Sequence, residues 1–79
     1  MKVSVKLYGT LPKRFSDYNA ALGMVVELAD GAKLNDLLAH LKLTESDGCF
    51  ATVEGQLSQA DDALSEGASV SIFQRVFGG

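Results

Sequence analysis

The sequence predicts an α+β fold in which one main helix packs on a mixed sheet of four to five strands. Three observations carry that expectation. Both ends of the chain alternate apolar and polar residues with period two, as half-buried strands do. Between them, Leu34, Leu37, Leu38 and Leu41 recur at i, i+3, i+4 and i+7, one apolar stripe of a helix. Gly9, Gly23, Gly31, Gly48, Gly55 and Gly67 stand singly at the joints between these segments, where a turn can use positive φ. At 79 residues the chain is expected to be one domain, 1–79, with a thin single core.

Strand one is expected over Lys2 to Tyr8, with Val3, Val5 and Leu7 inward and Lys2, Ser4, Lys6 and Tyr8 outward. The stretch from Gly9 to Gly23 holds the only proline, Pro12, and its Leu11, Phe15 and Leu22 follow neither period, so it reads as a loop with room for a helical turn. Strand two is expected over Met24 to Leu28, followed by a turn at Ala29-Asp30-Gly31. The leucine stripe implies a helix from about Lys33 to Lys42. Asp36 and Lys42 suit the helix dipole, while Lys33 is a poor N-cap. About ten residues of helix are marginal alone, so the leucines must be buried on the sheet. Thr44 to Gly48 reads as a turn and Cys49 to Val53 as strand three, with Cys49, Ala51 and Val53 on one side. Glu54-Gly55 looks like a hairpin turn into a stub strand, Gln56 to Ser58. After a polar connection, Asp61 to Gly67, the alternation of Val70, Ile72, Gln74 and Val76 with Ser69, Ser71, Phe73, Arg75 and Phe77 predicts a closing strand. The order is β-β-α-β-β-β.

Composition narrows the function classes. Hydrophobic residues make up 47% and charged residues 22%, ordinary globular usage. A net charge of -3 and a pI near 4.8 disfavour nucleic acid and anionic membranes, which call for a basic patch. The Lys13-Arg14 pair reads as a solvated loop. MKVSVKLYG alternates where a signal peptide would be continuously apolar, and no stretch is long enough to span a bilayer. One cysteine, Cys49, cannot form an internal disulfide, which makes the cytoplasm the expected location.

Candidate catalytic groups are sparse. His40, beside the leucine stripe, reads as a surface residue, and Cys49, in a small apolar strand, as a core residue. Asp61-Asp62 reads as a solvated turn and not as an acid/base pair. No ligand set for zinc and no phosphate-cradling glycine loop is present. Hence no catalytic site, metal or bound cofactor is expected.

There remain Gly78 and Gly79, directly after the last strand. With 8 glycines in 79 residues, chance places Gly at both of a given pair of positions in about 1% of cases. A terminal diglycine is expected to be a flexible tail, at about residues 76–79, that slips into a narrow channel and presents its α-carboxylate to another protein's active site. The alternative is a frayed end.

The β-β-α-β-β-β order, VSVKLYGTL at the start, the late turn Leu64-Ser65-Glu66-Gly67 and the ending SVSIFQRVFGG together resemble the ubiquitin-like β-grasp sulfur carriers, the MoaD and ThiS family. The resemblance covers nearly the whole chain. The long Gly9 to Gly23 connection is similar to MoaD, the small subunit of molybdopterin synthase. Where MoaD proteins often have Pro-Pro, however, this chain has Gln74-Arg75, and Phe73-Gln74 looks like some ThiS endings. Glu54 stands where Asn is frequent, Ala68 where Asp often follows the glycine, and Lys33 where Thr usually caps the helix. That last change is expected to cost about 1 kcal/mol of helix stability.

The resemblance implies that the chain supplies only a carboxylate. An E1-like adenylyltransferase would use ATP to make a Gly79 acyl-adenylate, with Gly78 beside it, and a persulfide from a sulfurtransferase or cysteine desulfurase would displace AMP. Reductive cleavage would leave a thiocarboxylate. In the MoaD-like case it would dock into the large molybdopterin synthase subunit and sulfurate a pterin precursor of the molybdenum or tungsten cofactor. In the ThiS-like case it would serve thiazole synthase. Outward-facing Phe73, Arg75 and Phe77, with Val76 of the same segment and with Tyr8 or Thr52 on neighbouring strands, are the expected partner contact. The plainer alternative is that Phe73 covers a thin core from the far side. A ubiquitin-like modifier and a plain interaction domain are the competing functions.

Overall fold

The computed structural model describes residues 1–15, 18, 19, 21–43 and 48–74. Among the described residues five strands, one α-helix and a short 3-10 helix follow in the expected order: β1 Lys2–Leu7, the 3-10 turn Leu11–Arg14, β2 Met24–Glu27, α1 Leu34–His40, β3 Cys49–Val53, β4 Gln56–Ser58 and β5 Ser69–Gln74. They form one mixed sheet in the order β2-β1-β5-β3-β4, with β1 and β5 parallel at its centre and the other pairs antiparallel. The expected continuation of the last strand to Phe77 lies outside the described residues, as do the turn residues 44–47.

The alternation sorts the two faces as the residues demand. Val3, Val5 and Leu7 of β1, Val26 of β2, Ala51 of β3 and Val70 and Ile72 of β5 are buried on one face. Leu34, Leu37, Leu38 and Leu41 cover them from the helix side. Each fully buried Leu, Ile or Val contributes about 1.5–3 kcal/mol, and a seven-residue helix has no other means of persisting. Four core members were not expected from any period. Leu11 of the 3-10 turn is fully buried, and Leu43 after the helix, Leu64 of the supposedly polar connection and Ala68 just before β5 are buried too. Cys49 lies in the core and His40 is exposed, both as expected. Among the described residues no helix is long and apolar enough to cross a membrane.

Both ends of α1 depart from the expectation. The missing hydroxyl at Lys33 leaves no first-turn donor stranded. Leu34 N–H donates to Asp62 O (3.0 Å), Asn35 N–H to Ala60 O (2.8 Å) and Asp36 N–H to Lys33 O (2.9 Å), while Asp36 Oδ2 accepts from Lys33 N–H (2.8 Å). The loop before Leu64 therefore does most of a cap's work, and the expected cost at Lys33 is offset.

At the other end the helix stops at His40, two residues early, because Lys42 is left-handed with φ 61°. Leu43 N–H reaches Leu38 O (2.8 Å) and Lys42 N–H reaches Ala39 O (3.0 Å), the paired bonds of a Schellman ending, with Leu43 and Leu38 both buried. That ending normally employs glycine, so Lys42→Gly is expected to raise stability by about 1 kcal/mol. The urea midpoint checks it, and an unchanged midpoint would mean that Lys42 carries no strain.

Candidate functional site

Among the described residues the sheet has one face without a helix, and the residues of that face follow from the register. Because β1 and β5 run parallel, their C-terminal ends lie at the same end of the sheet. Phe73 of β5 is paired with Phe50 of β3, and Tyr8 follows Leu7, whose partner is Ile72. The three rings form a row. Phe73 stacks on Tyr8 at 4.7 Å between centroids and 11° between planes, and on Phe50 at 5.2 Å and 17°. Tyr8 is 42% exposed while Phe73 and Phe50 are half-buried. Phe73 thus covers the sheet from its far side and remains part of its surface.

Behind this row stands a smaller and more polar one, Lys6, Ser71, Thr52 and Leu57, given by the pairs Lys6 with Ser71, Ser71 with Thr52 and Thr52 with Leu57. Leu57 on the β4 edge and Val25 on the β2 edge are 72% and 67% exposed. Leu57 extends the open face beside Thr52, whereas Val25, opposite Ser4, stands apart from the aromatic row.

Gln74, the last described residue of β5, pairs with Cys49 on its β3 side. On its β1 side the strand ladder has ended: Tyr8 N–H donates to Ile72 O (3.0 Å), and the chain then turns away at Gly9. There Thr10 Oγ1 donates to Gln74 Oε1. The turn that carries Thr10 is anchored by buried Leu11 and by Tyr18 Oη, which accepts from Leu7 N–H (2.9 Å).

Of the residues expected to act, Tyr8, Phe73 and Thr52 share this open face, with Tyr8 and Phe73 in contact. Arg75, Val76, Phe77, Gly78 and Gly79 lie outside the described residues. Phe50 is the ring that the sequence reading overlooked. Its signal was available, because a strand with Cys49, Ala51 and Val53 inward must turn Phe50 outward beside Thr52. Among the described residues no group of three or more His, Cys, Asp and Glu could hold a metal ion. A groove of about 560 Å³ between α1 and the β3–β4 edge, lined by Leu34, Leu38, Ala51, Leu57 and Asp61 among others, is mainly apolar.

Comparison with known proteins agrees with this architecture. The model of the ThiS family matches residues 13–79. SAMP1 from Haloferax volcanii superposes with a TM-score of 0.71 at 18% identity, over 100% of both chains. The putative molybdopterin converting factor, subunit 1, from Pyrococcus furiosus gives 0.72 at 23% identity, covering 95% of this chain and 98% of that one. A second structure of the H. volcanii protein, small archaeal modifier protein 1, gives 0.73 at 16% identity with the same coverage. No curated protein sequence matches the chain. The fold is the ubiquitin-like β-grasp that the resemblance implied.

Proposed function

The chain belongs to the ThiS family, and from that premise we propose that it is a sulfur carrier whose working group is the carboxylate of Gly79. The observation that carries this reading is that the family match extends to Gly79, the residue whose carboxylate the chemistry needs. A carboxylate is a poor acyl donor. An E1-like adenylyltransferase joins it to ATP, releasing pyrophosphate and leaving a Gly79 acyl-adenylate with AMP as a good leaving group. The persulfide of a sulfurtransferase or cysteine desulfurase attacks the acyl carbon and expels AMP. A thiol then reduces the resulting acyl disulfide, leaving sulfur on Gly79 as a thiocarboxylate. The protein contributes no catalytic group and binds no cofactor of its own in this scheme. Gly78, lacking a side chain, lets the tail enter the partner's channel.

The acceptor we propose is the large molybdopterin synthase subunit, which would use the thiocarboxylate in molybdenum or tungsten cofactor synthesis. The likeness to the P. furiosus converting factor subunit supports it. Thiazole synthase is the ThiS-like alternative. The docking surface is the open face around Tyr8, Phe73 and Phe50, continued by Arg75, Val76 and Phe77, with Thr52 behind it. With one cysteine the chain can close no internal disulfide, which suits a reducing compartment, and the proposed location is the cytoplasm. A second reading, conjugation of Gly79 to lysines as a protein modifier, is favoured by the full-length match to SAMP1.

One experiment separates these. The untagged chain is incubated with an adenylating enzyme from the same host, ATP and a persulfide source, and its intact mass is measured beside a Gly79-deleted chain. The expected result is a gain equal to one oxygen replaced by sulfur, absent from the deleted chain. Lysine adducts without that gain would establish the modifier reading instead, and no change of either kind would overturn both.

A further inference from the structure

We propose that Thr10 is a positioning residue that holds Gln74 and so sets the direction of the chain at the last described residue of β5. This inference rests on the sulfur-carrier reading for its purpose but not for its geometry. Thr10 occupies the N-cap of the Leu11–Arg14 turn, where a threonine oxygen ordinarily accepts from the first backbone N–H groups. Here it makes no such bond. Its hydroxyl is turned instead to Gln74 Oε1, across 64 residues of sequence.

The place is one where β5 would otherwise be held on one side only. The paired register of β1 with β5 ends at Leu7 and Ile72, whereas that of β3 continues through Phe73 to Gln74. Thr10 therefore replaces the missing β1 neighbour at the last described residue of β5. The support behind it is firm: Leu11 is fully buried, Lys13 N–H donates to Thr10 O (3.2 Å), and a Cβ at Gly9 would lie 3.8 Å from Gln74 Cβ.

Global stability gives the bond little reason to exist. An exposed side-chain hydrogen bond adds little, and Leu11 and Ile72, both fully buried, already fix the two elements it joins. Direction is a different matter. Five residues beyond Gln74 reach at most about 17 Å, so a swing of about 20° at the root moves the far end by about 6 Å. Misplacement by even 1 Å can cost on the order of 100-fold in rate.

The test compares Thr10→Val, which keeps the shape and loses the donor, with Thr10→Ser, which keeps the hydroxyl. Two quantities are read: the backbone order parameter of Gln74 by 15N relaxation, and kcat and KM for pyrophosphate release by the adenylating enzyme. In Thr10→Val the order parameter is expected to fall from about 0.85 to below about 0.7. With it kcat falls about tenfold, KM stays within about twofold and Tm within about 4 °C. Thr10→Ser restores both readouts. A merely structural residue would move Tm and leave kcat alone.

Equal losses in the two variants, an unchanged order parameter, or a lower order parameter with unchanged kcat each overturn the proposal. If the enzyme does not adenylate the unaltered chain, the sulfur-carrier reading fails by itself. The order parameters still decide whether Thr10 holds Gln74.

Discussion

Phe73→Ala is expected to weaken binding to the adenylating enzyme on the order of 30-fold, with the chain still folded. The ring lies between Tyr8 and Phe50, so its loss removes one aromatic surface and leaves two others without their stacking partner. A central aromatic anchor is worth about 2 kcal/mol or more on truncation, which gives that factor. Stability falls as well, by about 0.5–1.5 kcal/mol for each stacked pair. The opposite face keeps Val70 and Ile72 buried, so the sheet should persist. Phe73→Leu, which retains apolar area, separates the two effects: it should fold nearly as well and still bind more weakly than the unaltered chain. Val25→Ala serves as the control, since Val25 lies on the same face opposite Ser4, about 13 Å along β1 from Tyr8. Isothermal titration at a temperature where all variants are folded gives the dissociation constants. If Phe73→Ala binds within twofold of the unaltered chain, or Val25→Ala loses as much, the aromatic row is not the docking surface.

The sequence disclosed what repeats and concealed what occurs once. The strands and α1 were legible because burial on one side imposes a period, two for Val3, Val5 and Leu7, and 3.6 for the four leucines. The six joint glycines were legible for a related reason: all adopt φ between 68° and 83°, which other residues resist. Leu11, Leu43, Leu64 and Ala68 are isolated core residues in connections, and one buried residue generates no period. The end of α1 was misread because its left-handed position holds Lys42 where a glycine would have announced it. Phe50 follows from parity in β3, where Cys49 and Ala51 are buried and the residue between them faces outward. The contact of Tyr8 with Phe73, and the bond from Thr10 to Gln74, depend on parallel pairing of the first strand with the last. No local pattern carries such pairing, because its partners stand some 65 residues apart. The expected tail was legible as composition, and its residues lie beyond those described.

Gly23→Ala is expected to be far more damaging than the same change at Gly31, Gly55 or Gly67. Gly23 accepts the turn that closes on Asn19, donating its N–H to Asn19 O (2.7 Å), and β2 begins at the next residue. Its φ is +72°, which costs a residue with a Cβ about 1–2 kcal/mol. A second penalty is specific to this site. The added Cβ would lie 2.6 Å from Val5 O and 3.1 Å from Lys6 Cγ. The lysine side chain can move aside, but Val5 cannot: it is fully buried and paired with Met24 on one side and Val70 on the other. Relief must come from displacing β2, an overpacking cost of about 1–3 kcal/mol. Together the two penalties come to about 2–5 kcal/mol, or a fall in Tm of roughly 10–25 °C for a domain of this size. Gly31→Ala isolates the first penalty, since Gly31 has φ +83° and nothing within 4 Å of its Cβ position. It should lose only about 1–2 kcal/mol. Thermal unfolding of the two variants side by side measures the difference. If they lose the same, β2 has yielded without cost and the close approach of Gly23 to Val5 plays no part in holding the edge of the sheet.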